Sequence, residues 1–214
     1  MGIAERRGRE KEALRTRIVE AARDIVSETG LDALSMRSIA ERIEYSPGTI
    51  YLYFRDKNEL LGEVIHAGFE RMGEYIESEF EVVGVEASPA SQHRALGRAY
   101  AKFAIENTAY FRVMFELPTV PHHDCRPDEG SEGREGPCDD LLIEVVQRAI
   151  DAGLYTIQDA ETGAMIAWGL IHGLTSLYLS GHLKEVASND AFLQLLESAM
   201  DALGSGWSPR ETRA

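Results

Sequence analysis

Leu34-Ser-Met-Arg-Ser-Ile-Ala-Glu-Arg-Ile-Glu-Tyr-Ser-Pro-Gly-Thr-Ile-Tyr-Leu-Tyr-Phe-Arg-Asp-Lys-Asn-Glu-Leu-Leu61 packs three helix starts into one short run. Ser35 can accept hydrogen bonds from the free N–H groups of a helix carrying Met36, Ile39, Ala40 and Ile43. Ser46 then caps a second helix over residues 47–53, with Pro47 at its first position, where a missing N–H costs nothing. Only Glu44 and Tyr45 separate the two, so the chain must turn sharply, as in a helix-turn-helix. Asp56 caps a third helix, and Glu59 three residues on completes a capping box.

The middle helix sets Thr49, Tyr51 and Tyr53 among Pro47, Gly48, Ile50, Leu52 and Phe54. Gly48 and Thr49 keep its leading end slim enough to enter a major groove. Tyrosine hydroxyls can bond phosphate oxygens, and the rings can press on a thymine methyl. Lys57, in the first turn of the next helix, is placed for a further phosphate. Pattern alone also admits a small packing unit with surface tyrosines.

The segment 16–61 resembles the N-terminal DNA-binding domain of the TetR (tetracycline-repressor-like) family of bacterial transcriptional regulators. The resemblance rests on Ile18, Ala21, Ala22, Ile25, Gly30, Ser35, Ile39, Ala40, the run Ser46 to Phe54, Lys57, Glu59 and Leu60. It implies a homodimer that reads a palindromic double-stranded DNA operator, with Thr49 and Tyr51 at base edges. Ser35, Tyr53, Lys57 and Arg17 would hold phosphates, and Arg37, Ser46, Pro47 and Gly48 share the interface. Glu44 stands where the family often has Gly, so the resemblance implies a positive φ there.

A net charge of −14 is hostile to DNA, so its distribution matters. Residues 1–60 carry 11 Lys and Arg against 11 Asp and Glu, and the whole deficit falls on residues 61–214. Arg6, Arg7, Arg9, Lys11, Arg15 and Arg17 concentrate positive charge near the start. Such a chain is expected to touch DNA at one end only, with a clear salt dependence. No apolar run is long enough for a membrane span and the charged start is no secretory signal, so the expected place is the cytoplasm.

The expected architecture is all-α, with about nine helices. Residues 1–56 form the helix-turn-helix domain, beginning with a flexible basic arm over 1–10. Residues 57–204 form a helical ligand-binding and dimerisation domain, and 205–214 a disordered tail. Apolar periodicity predicts a first helix from Lys11 to Gly30 and a rod from Lys57 to Phe80. Further helices are expected over 90–107, from Thr108 to Phe115, from Pro137 to Gly153, after Asp159, and from Asn189.

The helix after Asp159 is apolar nearly all round, so it must be central or covered by a partner. Its small residues Gly169, Gly173, Ser176 and Ser180, with Leu177, and the last helix's Phe192, Leu196 and Met200 are the expected dimer interface. Aromatic and Met density near His172 suggests an effector cavity lined by Tyr100, Phe103, Phe111, Met114, Phe115, Met165, Trp168 and His172; a solid core is the plainer alternative. The pairing of Tyr110 to Phe115 with Trp168 and His172-Gly173 also resembles one C-terminal subtype of the same family.

His122, His123, Asp124 and Cys125, with Cys138 and Asp139, contain metal-ligand chemistry in a Gly- and Pro-rich loop. No paired-cysteine or His-x3-His spacing supports it, so metal or thiol sensing is the alternative reading and a metallohydrolase a remote one. No nucleophile elbow, phosphate loop or His-Glu-x-x-His motif is present. The expectation is a regulator without catalytic residues, resident metal or cofactor.

Overall fold

The computed structural model describes residues 2–84, 86–115 and 137–209. Among them are nine α-helices and no strand: α1 (Ile3–Thr29), α2 (Met36–Ile43), α3 (Pro47–Ile50), α4 (Lys57–Val83), α5 (Pro89–Glu106), α6 (Thr108–Phe115), α7 (Pro137–Asp151), α8 (Ala160–Leu179) and α9 (Asn189–Trp207). A single 3-10 turn, Leu31–Ala33, joins α1 to α2. The described residues form two compact units, 2–68 with 107–115, and 69–84 and 86–106 with 137–209. The division between these units falls inside α4, and α6 belongs to the first.

In the first unit, one stripe of α1 (Ile18, Val19, Ala21, Ala22, Ile25, Val26) is buried, together with Met36, Ile39, Ile43, Ile50, Phe54, Leu60 and Leu61. Each fully buried aliphatic or aromatic side chain of this kind contributes roughly 1.5–3 kcal/mol. Gly68 of α4 lies against α6: a Cβ there would come 2.4 Å from Met114 Sδ. Arg23 of α1 covers the Tyr110 ring of α6 at 4.8 Å.

Residues 3–10, expected as an arm, continue α1 instead. The Gly2 N–H donates to Glu5 Oε2 at 2.9 Å, and Arg6 pairs with Glu10 one turn on. Charged residues at i,i+4 spacing support helix without any apolar period, so periodicity could not register this segment. At the other end α9 runs on through residues 205–207, which the sequence assigned to the tail. Trp207 holds that turn: its ring meets Tyr155 edge-on at 5.2 Å, and its carbonyl accepts from Thr156.

The second unit packs α5 against α7, α8 and α9, and α7 against α8. Leu96, Leu142, Val145, Val146, Ala149, Tyr155, Ala160, Ala164 and Ala167 form one buried cluster. Glycines allow two close crossings. A Cβ at Gly97 would lie 2.2 Å from Met200 Sδ, and one at Gly163 would lie 2.8 Å from Val146 Cγ1. Glu79 of α4 is buried and takes charge-assisted bonds from Arg98 and Lys102 of α5, while Arg98 also reaches Glu197 of α9.

Candidate nucleic-acid interface and effector-binding residues

The turn is built from its caps. Ser35 Oγ accepts from the Ser38 N–H at 3.0 Å, and Ser38 Oγ accepts from the Ser35 N–H at 2.9 Å, so serine fills the place glutamate usually takes in a capping box. The α2 helix ends at Glu44, which sits in the left-handed region at φ 61°, ψ 41°, as the resemblance implies. Ser46 Oγ accepts from the Thr49 N–H at 3.2 Å and opens α3. Asp56 Oδ1 accepts from the Asn58 and Glu59 N–H groups, whereas Glu59 reaches back to the Arg55 N–H rather than to that of Asp56.

The α3 helix is shorter than the expected 47–53. It closes after Ile50 and continues as a hydrogen-bonded turn, with the Tyr53 and Phe54 N–H groups both donating to the Ile50 carbonyl. Ile50 and Phe54 anchor this piece in the core at 0% and 1% exposure, which aims its other side outward. Tyr51 is 58% exposed and Leu52 79%. Ser46, Pro47 and Gly48 are exposed, Thr49 and Tyr53 half-buried, and the Ser46 and Thr49 hydroxyls lie 3.0 Å apart. Tyr45 and Leu52, which sequence reasoning left out, belong to the same exposed face; flanking a capped Ser-Pro start was the available signal.

The expected cations are partly committed within the unit. Lys57 Nζ, expected at a phosphate, donates to the Leu31 carbonyl at 2.6 Å, tying the start of α4 to the 3-10 turn. Arg17 reaches the Ile43 carbonyl at 3.5 Å and lies over the Tyr45 ring at 5.7 Å. Arg37 pairs with Glu41 at 2.8 Å, an exposed i,i+4 bridge that is cheap to open. Arg55, not singled out from sequence, is 82% exposed and only loosely paired with Asp56 and Glu59, at 3.6 and 3.9 Å.

The eight expected cavity residues divide between the units. Phe111, Met114 and Phe115 lie in the first, where Phe111 and Phe115 rings stand 5.2 Å apart. Tyr100, Phe103, Trp168 and His172 lie in the second. There Tyr100 Oη and His172 Nδ1 are 2.8 Å apart, the Trp168 ring is 5.3 Å from the imidazole, and Ser176 Oγ approaches Nε2 at 3.4 Å. Phe103 is fully buried, with the Tyr75 ring edge-on at 6.0 Å. Met165 departs from the expectation, being 64% exposed. The buried stripe of α8 runs through Ala160, Ala164, Ala167, Ile171 and Thr175. Met165 sits one residue on from Ala164, about 100° round the helix.

Of the expected dimer residues, Gly169, Leu177 and Ser180 are exposed and Gly173 and Ser176 half-buried, on the α8 side opposite that stripe. Phe192, Leu196 and Met200 are 0–2% exposed and face the protomer's own core, so they are not available to a partner. Phe192 stacks on Tyr178 of α8 and Met200 lies against Gly97 of α5, and their apolar period looks the same whether the covering helix is in the protomer or in a second copy. Leu195 of α9, 38% exposed, is presented instead. His122, His123, Asp124 and Cys125 lie outside the described residues, as do the side chains of Cys138 and Asp139. Among the described residues no three His, Cys, Asp or Glu gather as a metal site, and no helix is long and apolar enough to cross a membrane.

Residues 18–64 match the family described as "Bacterial regulatory proteins, tetR family", and residues 93–203 match "Tetracyclin repressor-like, C-terminal domain". An uncharacterized HTH-type transcriptional regulator of Haemophilus influenzae is 29% identical over 52% of the chain, and that alignment spans 58% of the relative. The HTH-type transcriptional regulator UidR of Escherichia coli is 42% identical over 29% of the chain and 32% of its own length. A Rhodococcus sp. RHA1 protein of unknown function shares the fold at TM-score 0.70, with 24% identity over 92% of this chain and 96% of that one. Bacillus subtilis FadR, solved with stearoyl-CoA, gives TM-score 0.68 at 18% identity over 89% and 98% of the two chains.

Proposed function

We propose, for a chain that belongs to the tetR family of bacterial regulatory proteins, that it is a homodimeric repressor released from a palindromic operator by a small molecule. The observation that carries this reading is the outward face of α3 and its following turn, where Tyr51 and Leu52 stand exposed on a core-anchored, doubly capped helix-turn-helix. Each protomer inserts residues 47–53 into a major groove, the two half-sites lying about 34–36 Å apart or a small multiple of that. Thr49 and Tyr51 meet base edges. Arg17, Ser35, Arg37 and Tyr53 hold phosphates, the two arginines leaving Ile43 and Glu41 to do so. Lys57 serves by fixing the start of α4.

The partner protomer covers the α8 face of Gly169, Gly173, Ser176, Leu177 and Ser180, with Met165 and Leu195 beside it. Exposed apolar side chains around small residues support close helix approach there. The effector lies in the second unit among Tyr100, Phe103, Trp168 and His172. The Tyr100–His172–Trp168 packing supports reading Trp168 and His172-Gly173 as the subtype signature. FadR with stearoyl-CoA supports a helical domain of this fold taking a small molecule. The α4 helix, one continuous rod that begins in one unit and ends in the other, carries the change. A coupling of about 1–3 kcal/mol weakens operator binding 5- to 150-fold. The protein works in the cytoplasm.

Gel shift against the DNA upstream of its own coding region, with sedimentation of the same sample, tests the reading. A retarded complex of two chains per site supports it. Failure to shift DNA at low salt, or a monomer at micromolar concentration, contradicts it.

A further inference from the structure

Leu52 is 79% exposed, yet its backbone is fixed. Its N–H donates to the Thr49 carbonyl at 3.1 Å, and the next two N–H groups both donate to the Ile50 carbonyl. Leu52 lies two residues after the buried Ile50 and two before the buried Phe54, about 200° round from each, so its side chain stands opposite both anchors. A helical side chain leans over the turn N-terminal to its own Cα, which here is the turn of Gly48, four residues back. Among the described residues, a Cβ at Gly48 would have only Ser46 Oγ within 4 Å, at 3.7 Å. That side of the turn is bare, and a surface can close on Gly48 and Leu52 together.

We propose that Leu52 is a specificity-determining residue, its isobutyl group packing on the C5-methyl of one thymine in each half-site. The proposal rests on the groove-reading role of residues 47–53 given above and adds what that helix selects. An aliphatic side chain carries no donor or acceptor for a base edge, and the thymine methyl is the apolar group that bases present in the major groove. A cytosine in the same place would offer an N4 donor that Leu52 leaves unbonded, so thymine is preferred there. The surroundings favour DNA over other partners. Tyr45 and Tyr51 are 43% and 58% exposed, Arg17 lies over the Tyr45 ring, and Arg55, three residues on, is 82% exposed. One aliphatic group among cations and tyrosines is too little apolar area for a stable protein or lipid contact. It suffices for a single methyl, with cations placed for the flanking phosphates.

The probe is a duplex that the full chain selects from a randomised pool, remade with deoxyuridine for one thymine of each half-site at a time. Deoxyuridine pairs as thymidine does and lacks only the C5-methyl. At one thymine position the parent should bind the deoxyuridine duplex about fourfold more weakly per half-site, and about fifteenfold for both, the scale of one buried carbon group. Leu52→Ala should keep the parent's melting curve and bind the thymine duplex at least as weakly as the parent binds the deoxyuridine one. It should lose nothing further on deoxyuridine at that position. The proposal is overturned if the parent shows no deoxyuridine penalty, or if every penalty survives in Leu52→Ala. An unfolded Leu52→Ala overturns it too, since the side chain would then belong to the core. A pool from which the chain selects no duplex removes the groove reading and this inference together. A selected duplex without the coupling to Leu52 removes this inference alone.

Discussion

Replacing Glu44 by glycine should stabilise the first unit. The residue holds φ 61°, ψ 41°, the only positive φ among the described non-glycine residues. An L side chain in that region is strained by roughly 1–2 kcal/mol, because Cβ crowds the following carbonyl oxygen. Glycine removes that strain but frees the unfolded chain, which returns about 0.4–1 kcal/mol. Among the described residues the exposed carboxylate has no ion pair or hydrogen bond to lose. The net expectation is a gain of about 0.5–1 kcal/mol for Glu44→Gly. Asparagine, which tolerates left-handed backbone, should fall between, and Glu44→Val should lose about 1 kcal/mol or more. Urea unfolding followed by circular dichroism reads the series Gly > Asn > Glu > Val. Operator affinity should hold or rise for Glu44→Gly, since a negative charge leaves the DNA-facing side. A valine variant as stable as the parent, or a glycine variant that loses stability, would refute a left-handed turn here.

Other expectations follow from the same geometry. Lys57→Met should cost about 1.5–3 kcal/mol through the lost charge-assisted bond to the Leu31 carbonyl, while the slope of log affinity against log salt stays nearly unchanged, as titrations at several salt concentrations would reveal. His93 is neutral in the fold and has a depressed pKa of about 4 against about 6.5 unfolded, so the unfolded chain binds the extra proton between those values. Stability should therefore drop by roughly 3 kcal/mol as pH falls from 6.5 to 4, and denaturation curves of His93→Phe should lack that part. For Glu79, burial alone would raise the pKa, but the bonds and charges of Lys102 and Arg98 outweigh it and hold the carboxyl below its usual range. Its contribution is present above the unfolded pKa and is lost as pH falls through the lowered one, so Glu79→Gln should flatten the acid limb of the same curves. Leu177→Glu should leave the protomer folded but shift sedimentation toward the monomer.

Much of this fold was legible because polar caps are local chemistry. Ser35, Ser46, Asp56 and Asp159 each bond the N–H groups their positions suggest. Gly153, with φ 68°, stops α7 as a helix-ending glycine should. What escaped depends on partners distant in sequence. Nothing local says that Trp207 will dock on Tyr155 and His93 and so prolong α9, or that Phe192 will stack on Tyr178 of α8 and Met200 lie against Gly97 of α5. The bond from Lys57 to the Leu31 carbonyl escaped because a carbonyl has no side-chain signature. His93 gave no signal at all: one histidine in a helix becomes notable only when its burial and its missing partner are seen together.

Groove reading by the outward face around Tyr51 is tested most directly by equilibrium fluorescence anisotropy with a labelled operator duplex. Tyr51 is 58% exposed, so Tyr51→Ala should leave the melting curve within about 0.5 kcal/mol of the parent. Loss of one base-edge contact of about 1–3 kcal/mol in each half-site should weaken binding by roughly 25-fold at the least. A Tyr51→Ala protein that is equally folded and binds the operator as tightly as the parent would contradict a groove-reading role for this helix.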